Sequence, residues 1–218
     1  MIIVPIKNLE GAKQRLSPVL EAEERRALAA AMMEDVLETL ASWSTRPAVA
    51  VVTSDAHASA LAHRYCFEII PEADNRSETD AIALATRVVA ERGWAATLVI
   101  PADVPLVEAA ELESIVDAAP ETGSVLVPSA DGRGSNAVLR RPAALFPLRF
   151  GDDSFAPHRR AAQATGTPVV VLELPGIALD VDRPADLAEL LARGGDRRSP
   201  RLLRAWNVAE RMAAARIA

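Results

Sequence analysis

Lysine is almost absent from this sequence of 218 residues. Only Lys7 and Lys13 occur, both within the stretch VPIKNLEGAKQRL, and the other 22 basic residues are arginine. Chance within an arginine-rich composition is one explanation. The other is chemical, because an ammonium on a flexible stem is a compact point charge that suits a polyphosphate shifting during a reaction. The second explanation predicts a phosphate-binding site near this stretch.

Cysteine and histidine are also scarce, which limits redox and metal chemistry. Cys66 is the single cysteine, so an internal disulfide is excluded and a reducing cytosol is expected. His57, His63 and His158 show no spacing with Cys66 that is typical of a zinc site. No catalytic triad built on a serine, cysteine or histidine nucleophile is visible.

Long hydrophobic runs and an excess of positive charge are missing as well. No segment reaches the roughly 20 apolar residues needed to span a bilayer, and the opening MIIVPIK lacks the basic region of a signal peptide. We therefore expect a cytoplasmic protein without a membrane partner. A formal charge of -6 and a pI near 5.2 argue against a nucleic-acid partner. The expected ligand is small.

Short apolar runs alternate with helical patterns along most of the chain. Buried strands are predicted at Ile2 to Ile6, Ala48 to Thr53, Ala96 to Ile100, Ser124 to Pro128 and Val169 to Leu174. Helices are predicted at Glu21 to Trp43, Asp80 to Glu91 and Glu108 to Ala119. Ser17 and Pro18 are interpreted as the N-cap and first turn of the first helical region. This alternation indicates an α/β fold with a mainly parallel sheet flanked by helices.

The end of the chain changes character. The stretch RGGDRRSPR resembles a polar linker, and Leu202 to Ile217 resembles a short amphipathic helix. We therefore predict a main domain over residues 1–192 and a tail over residues 193–218. The tail is expected to dock on its own core or on a second subunit, which would make the protein a homodimer.

Carboxylates follow two of the apolar segments, at the strand ends where ligands of an α/β sheet gather. Asp103 lies between two prolines in PADVPL, and Asp180 and Asp182 flank Val181 in GIALDVDRPADL. If the second segment is extended, its two carboxylates point to the same face and can reach one ion or two adjacent ions. The ordinary alternatives are that Asp103 is a turn residue and Asp182 a helix cap.

Cations and small donor residues complete the candidate site. Lys13 and Arg15 can hold one polyphosphate from a loop after the first strand, or they can be surface residues, as can Lys7. This loop lacks GxxxxGK[ST], which argues against a P-loop. A further group of small residues can donate backbone N–H or hydroxyl hydrogen bonds to a phosphate or carboxylate. These residues are Gly132, Gly134, Ser135, Asn136, Gly151 and Ser154. The alternative is that they form ordinary turns. The combined set describes metal-assisted phosphoryl or nucleotidyl transfer.

Five motifs in order resemble the 2-phospho-L-lactate guanylyltransferase family of coenzyme F420 biosynthesis, also known as CofC or FbiD. They are VPIKNLEGAKQRL, PADVPLV, DGRGSNAVL, RFGDDSFAPH and ALDVDRPADL, and the resemblance covers roughly residues 1–191. It implies a nucleotidyltransferase fold akin to the GT-A glycosyltransferases. It also implies a Mg²⁺ cofactor, GTP as donor, pyrophosphate release, and an acceptor that is 2-phospho-L-lactate, phosphoenolpyruvate or 3-phospho-D-glycerate.

The resemblance also implies a role for each matching residue. Metal binding falls to Asp103, Asp180 and Asp182, which together with Lys13 form the implied catalytic set. Nucleotide binding is implied for Lys7, Lys13, Arg15 and Asp103. It is also predicted for Thr79 and Asp80, at positions where the chain departs from the family pattern. Acceptor binding falls to Ser135, Asn136, Gly151 and Ser154.

The run NRSETDAIALA departs from the family pattern. Family members commonly show Gly-Leu-Asn where this chain has Glu78, Thr79 and Asp80. A carboxylate only accepts hydrogen bonds, whereas an amide also donates, so the departure predicts a changed contact to the base. The rival interpretations are a sugar-phosphate nucleotidyltransferase or glycosyltransferase of the same fold, and a non-catalytic nucleotide-binding module.

Overall fold

A seven-stranded sheet forms the centre of the computed structural model, which describes residues 1–72 and 77–215. The strands are β1 (Ile2–Ile6), β2 (Val49–Thr53), β3 (Glu68–Pro71), β4 (Thr97–Val99), β5 (Gly123–Pro128), β6 (Ser135–Arg141) and β7 (Val169–Val171). Their order across the sheet is β3-β2-β1-β4-β6-β5-β7. Among these strands, β6 runs antiparallel to both of its neighbours and the other pairs are parallel. The predicted mainly parallel sheet is confirmed.

Helices cover both faces of this sheet. They are α1 (Ala22–Ser42), α2 (Ala56–Arg64), α3 (Glu78–Glu91), α4 (Ala109–Asp117), α5 (Phe155–Ala164), α6 (Pro184–Arg193), α7 (Arg198–Ala205) and α8 (Val208–Ala215). A short 3₁₀ helix, Gln14–Leu16, follows β1. Within the described ranges, every helix is too short or too polar to cross a membrane.

The apolar runs of the strands arise because each strand is buried on both faces. In β1, Ile2, Val4 and Ile6 pack on the face covered by α1, α2 and α4. Ile3, between them, packs on the opposite face with α3 and α5. Successive strand side chains point to opposite faces, so a strand covered on both sides must be apolar at every position.

A third apolar cluster joins the C-terminal helices to α1. Leu28 and Met32 of α1 pack with Leu187 of α6, Leu203 of α7 and Met212 of α8. These residues are all buried, so α7 and α8 dock on the core of their own chain. The domain boundary at residue 192 and the homodimer stay predictions.

Two strands escaped the sequence prediction. β3 is a four-residue strand at the edge of the sheet, too short to give a clear apolar run. β6 begins with Ser135 and Asn136, which favoured a turn, and it contains Arg140, which is buried. The guanidinium of Arg140 is held inside by the Phe146 carbonyl and by the hydroxyls of Thr86 and Thr97. Because a hydrogen-bonded arginine can be buried, a core strand that contains one lacks the continuous apolar run by which buried strands are predicted.

The predicted N-cap of the first helical region was wrong, although α1 begins within one residue of the predicted Glu21. Glu21, rather than Ser17, is the N-cap of α1, and it forms a reciprocal capping box with Glu24. Ser17 instead ends the 3₁₀ helix after β1. A glutamate can take this role because its carboxylate still reaches the N–H group of the first turn.

The helical tail also differs from its prediction. α7 begins at Arg198, inside the stretch that resembled a linker, and the chain turns at Asn207, whose φ is 52°. Leu202 to Ile217 is therefore not one continuous helix. The last two positions of that predicted helix, residues 216 and 217, lie outside the described residues.

Asp35 should be essential for holding the tail to the core. Its buried carboxylate accepts hydrogen bonds from the backbone N–H groups of Arg198 (2.8 Å) and Ser199 (2.9 Å). We expect Asp35→Ala to lower the free energy of unfolding by about 2 to 4 kcal/mol, because buried donors lose their partner. Urea unfolding measures this loss.

Glu38→Ala is the matched control for Asp35→Ala. Glu38 lies one helical turn later and pairs with the Arg198 side chain at 3.0 Å in an exposed position. An exposed ion pair contributes less than about 1 kcal/mol. Similar losses for the two variants would contradict a special role for Asp35.

Candidate active site

A cavity of about 620 Å³ opens at the carboxyl ends of the parallel strands. Its walls come from the loop after β1, the loop after β4, the turn between β5 and β6, the loop before α5 and the loop before α6. Nine predicted site residues line it, namely Lys13, Arg15, Asp103, Ser135, Asn136, Gly151, Ser154, Asp180 and Asp182. The cavity therefore lies at the ends of the strands, where ligands of an α/β sheet gather and where the acidic segments were predicted to contribute.

Lys13 lies between two carboxylates at the floor of this cavity. Its Nζ is 2.6 Å from Asp103 Oδ2 and 2.8 Å from Asp182 Oδ1. Burial favours the neutral amine, but the charges and hydrogen bonds of both carboxylates outweigh burial and raise the pKa of Lys13. Burial likewise works to raise the pKa of Asp182, yet Lys13 lowers it overall. Lys13 and Asp182 are therefore both charged at neutral pH.

The backbone of Lys13 is strained to reach this position. Its φ of 54° and ψ of 44° lie in the left-handed region, which costs a residue with a Cβ roughly 1 to 2 kcal/mol. Such a conformation persists where surrounding contacts determine it, and it concentrates at functional sites. Here the two ion pairs are the contacts that hold Lys13 in place.

Backbone and capping contacts align the two acidic segments. The N–H of Val181 donates to the backbone oxygen of Asp103 at 3.1 Å, which ties the loop before α6 to the loop after β4. The backbone N–H groups of Asp182 and Arg183 donate to the carboxylate of Asp186. Asp186 therefore caps this turn, and the alternative that Asp182 is merely a helix cap is wrong. The Asp182 carboxylate instead faces Lys13.

Asp180 has a different partner. The buried amide of Asn136 donates to Asp180 Oδ1 at 3.0 Å and to the backbone oxygens of Ile177 and Ala178. Burial raises the pKa of Asp180, the Asn136 bond opposes this, and the charge of Asp103 adds to the rise. Asn136 thus positions the acidic loop, a role that the sequence did not suggest.

The acidic residues offer the oxygen donors that Mg²⁺ prefers. In residues 1–72 and 77–215, no three acidic, histidine or cysteine side chains converge closely enough to hold a metal ion by themselves. Mg²⁺ usually takes only one or two carboxylates and completes its shell with water and substrate phosphates. One or two of the carboxylates of Asp103, Asp180 and Asp182 would suffice for that mode of binding. Their assignment as metal ligands stays a prediction.

The predicted nucleotide-binding residues separate into two groups. Arg15 reaches the cavity mouth, where its Nη2 pairs with both carboxylate oxygens of Asp152 at 2.9 and 3.0 Å. Lys7 pairs with Glu72 at 2.8 Å and is not part of the cavity lining. Thr79 and Asp80 also lie outside that lining: the Thr79 hydroxyl bonds the backbone of residue 150, and Asp80 bonds Ser77. Their roles stay predictions.

The predicted acceptor-binding residues lie together on one wall of the cavity. The backbone N–H of Ser135 donates to Ser154 Oγ at 3.0 Å, and both side chains are buried. Gly151 has a φ of 128°, in a region that favours glycine. A side chain there would meet open space, so the backbone conformation is what requires glycine.

Glu78 adds a further carboxyl group to the lining of the cavity. Burial raises its pKa to about 7, the charge of Asp103 adds to the rise, and Lys13 opposes it. The sequence drew attention to Glu78 only as a departure from a family pattern. The sequence does place an acidic residue at the start of α3, close to a strand end, and this position could have predicted that Glu78 belongs to the site.

The sequence model of the family described as guanylyl transferase CofC like matches residues 1–215. The chain belongs to this family. It is therefore a nucleotidyltransferase, which confirms the resemblance that the five motifs carry.

Several relatives of this CofC-like chain have names that state an acceptor. It is 36% identical over 204 residues to the phosphoenolpyruvate guanylyltransferase of Rubrobacter xylanophilus, covering 91% of this chain and 97% of the relative. It is 33% identical to the 2-phospho-L-lactate guanylyltransferase of Methanothermobacter thermautotrophicus (88% and 84% covered). It is 32% identical to the 3-phospho-D-glycerate guanylyltransferase of Colwellia psychrerythraea (88% and 90% covered).

Solved structures show the same fold at low sequence identity. A protein described as a nucleotide-diphospho-sugar transferase from Desulfovibrio desulfuricans aligns with a TM-score of 0.76 at 18% identity, covering 99% of this chain and 96% of that one. The CMP:2-keto-3-deoxy-manno-octonic acid synthetase bound to CTP aligns with a TM-score of 0.56 at 14% identity, covering 87% and 95%. The predicted nucleotidyltransferase fold is confirmed.

The raised pKa of Glu78 gives this CofC-like chain a testable pH dependence. A carboxyl whose pKa rises from 4.5 to about 7 on folding stabilises the protein at low pH, and the contribution is lost as the pH rises through that window. We expect Glu78→Gln, without nucleotide, to be more stable than the unmodified protein at pH 8 by about 1 to 2 kcal/mol and similar at pH 4.5. Urea unfolding at the two pH values measures this difference.

Asp80→Asn is the control for Glu78→Gln. It removes a carboxylate from the same turn of α3, but from an exposed position where Asp80 accepts a hydrogen bond from Ser77. No gain in stability at pH 8 is expected from it. An equal stability difference for Glu78→Gln at both pH values would show that Glu78 does not titrate in this window.

Proposed function

We propose that this chain transfers GMP from GTP to the phosphate of a phosphorylated three-carbon acid and releases pyrophosphate. The acceptor class is phosphoenolpyruvate, 2-phospho-L-lactate or 3-phospho-D-glycerate. The observation that carries this proposal is that one cavity is lined both by Lys13, held by Asp103 and Asp182, and by the hydroxyl residues Ser135 and Ser154. Relatives named for each of the three acids support the acceptor class.

The acceptor supplies its own nucleophile in this reaction. A phosphate oxygen of the acid attacks the α-phosphorus of GTP, a new P–O bond forms, and the bond to the pyrophosphate leaving group breaks. The phosphate is ionised at neutral pH, so no serine, cysteine or histidine has to be activated. The task of the protein is to bring two anions together and to compensate their charge.

Lys13 and Arg15 are the cations that the loop after β1 brings to this site. The Nζ of Lys13 is already fixed between two carboxylates, so its position costs no further ordering when a substrate enters. Arg15 lies at the mouth, where its guanidinium pairs with the exposed Asp152. An entering phosphate can replace that carboxylate as partner, because arginine binds both groups in the same bidentate manner.

Magnesium is part of the proposed reaction. When bound, Mg²⁺ would supply positive charge that neutralises the phosphates of the donor and of the leaving group. Asp103, Asp180 and Asp182 are the residues that would hold it. On the family resemblance, we further propose that the diphosphate-linked product serves coenzyme F420 biosynthesis.

Removing one carboxylate of the acidic cluster should abolish most turnover. We expect Asp103→Asn and Asp182→Asn each to lower kcat/KM by about a hundredfold or more, because each removes a carboxylate that positions Lys13 and would hold Mg²⁺. Steady-state assays of pyrophosphate release measure this. Asp117→Asn, an exposed change on α4 outside the cavity lining, should leave the rate unchanged. Near-normal activity of both cluster variants would refute the assignment.

The substrates can be identified by a grid of pyrophosphate-release assays with and without Mg²⁺. GTP, ATP, CTP and UTP are each combined with phosphoenolpyruvate, 2-phospho-L-lactate and 3-phosphoglycerate. We expect turnover with GTP, one preferred acid and Mg²⁺ present. Turnover with another nucleotide would indicate that Glu78 to Asp80 alters base preference. Silence across the grid alongside turnover of a sugar phosphate, or nucleotide binding without any turnover, would reject the proposal.

A further inference from the structure

A buried histidine lies directly behind the acceptor wall. His158, on α5, is 1% exposed, and its Nδ1 is 2.9 Å from Ser135 Oγ. Its Nε2 is 2.9 Å from the backbone nitrogen of Arg149. The ring of Phe150 packs edge-on against the imidazole, with 5.1 Å between centroids. His158 is not part of the cavity lining and has no role in the reaction described above.

The contact with Arg149 determines which ring nitrogen of His158 carries the proton. A backbone N–H can only donate, so Nε2 must accept and therefore bears no proton. The neutral ring then has its proton on Nδ1, from which it donates to Ser135 Oγ. Burial, with the charge of Arg140 adding to its effect, lowers the pKa of His158 to about 4, so the ring is neutral at physiological pH.

This arrangement fixes the direction of the Ser135 hydroxyl. A serine hydroxyl can normally rotate to donate or to accept. Because Ser135 Oγ accepts from His158, its own proton cannot point toward the ring and must point elsewhere. Ser135 is 3% exposed, and among the residues that the structure describes its hydroxyl proton has no acceptor. The hydroxyl proton can therefore point into the cavity that Ser135 lines.

Ser154 is arranged in the same way. Its Oγ accepts the backbone N–H of Ser135 at 3.0 Å, and the side chain is 4% exposed. The hydroxyl oxygens of Ser135 and Ser154 thus each accept a hydrogen bond from an N–H group on the side away from the cavity. Both hydroxyls are left to donate their own protons into the cavity. Two forward donors complement an ionised phosphate or carboxylate oxygen, which only accepts.

We propose that His158 is a positioning residue for the phosphorylated acid, because it commits the Ser135 hydroxyl to donating toward an anionic oxygen of that substrate. This inference rests on the proposed function, since it assigns the acceptor to the wall formed by Ser135 and Ser154. His158 itself touches neither substrate. His158 affects binding of the acid only by orienting the Ser135 hydroxyl, so its effect should vanish when that hydroxyl is removed.

Two substitutions separate the donor of His158 from its acceptor. In His158→Asn, the side-chain amide N–H can take the place of Nδ1–H and still donate to Ser135. In His158→Gln, the longer amide can accept from Arg149 but cannot present the same donor to Ser135. We expect His158→Gln to raise the KM for the acid about tenfold and His158→Asn to stay within about threefold. The KM for GTP should be unchanged in both.

Two outcomes of the KM measurements would overturn the positioning role of His158. If the two variants change the KM for the acid alike, or if the KM for GTP moves by the same factor, His158 has only a structural role. A double-mutant cycle gives an independent test. In a Ser135→Ala background, His158→Gln should cause no further rise in the KM for the acid, and a full tenfold rise there would also overturn it.

Nitrogen NMR of the imidazole gives a readout that needs no turnover. His57 and His63 are exposed, so replacing both with glutamine leaves His158 as the single imidazole signal. We expect the Nδ1–H tautomer, with a shift that changes when the acid is added. The Nε2–H tautomer would overturn the inference. Silence of the unmodified enzyme with every acid would reject the proposed function, whereas normal turnover with an unaffected His158→Gln would reject the role of His158 alone.

Discussion

The charge compensation between Lys13 and its two carboxylates is the interaction on which the site depends. It joins three segments that are distant in sequence: the loop after β1, the loop after β4 and the loop before α6. Lys13 compensates the charge that Asp103 and Asp182 bring to the cavity floor. The two ion pairs therefore hold the floor together and keep Lys13 charged there.

The cavity has two chemically different halves. The floor is charged, with Lys13 at its centre, and its electrostatic field responds to any anion or cation that enters. The wall formed by Ser135 and Ser154 is neutral, and its donors are oriented by groups behind them, including a histidine that stays uncharged. A transfer reaction between two anions benefits from this division, because the reacting phosphates meet charged side chains while the remainder of the acceptor meets fixed dipoles.

Sequence patterns predicted those features that depend on local chemistry. Buried strands produced apolar runs, and carboxylates after such runs located Asp103 and Asp182 at the cavity. The missed strand β6 contains Arg140, whose burial depends on hydroxyl and carbonyl partners from other elements. The place of His158 behind Ser135 likewise depends on how α5 packs against β6, which no spacing in the sequence encodes. Tertiary contacts, rather than composition, decided the features that escaped prediction.

The third apolar cluster links the end of the chain to the reactive part of the molecule. Val181, the residue between Asp180 and Asp182, is fully buried in the same cluster as Leu203 of α7 and Met212 of α8. The acidic loop is therefore anchored by α7 and α8, which lie outside the cavity lining. Part of the free energy that keeps this loop ordered comes from the tail, so the mobility of the loop and the local stability of α7 and α8 are thermodynamically coupled.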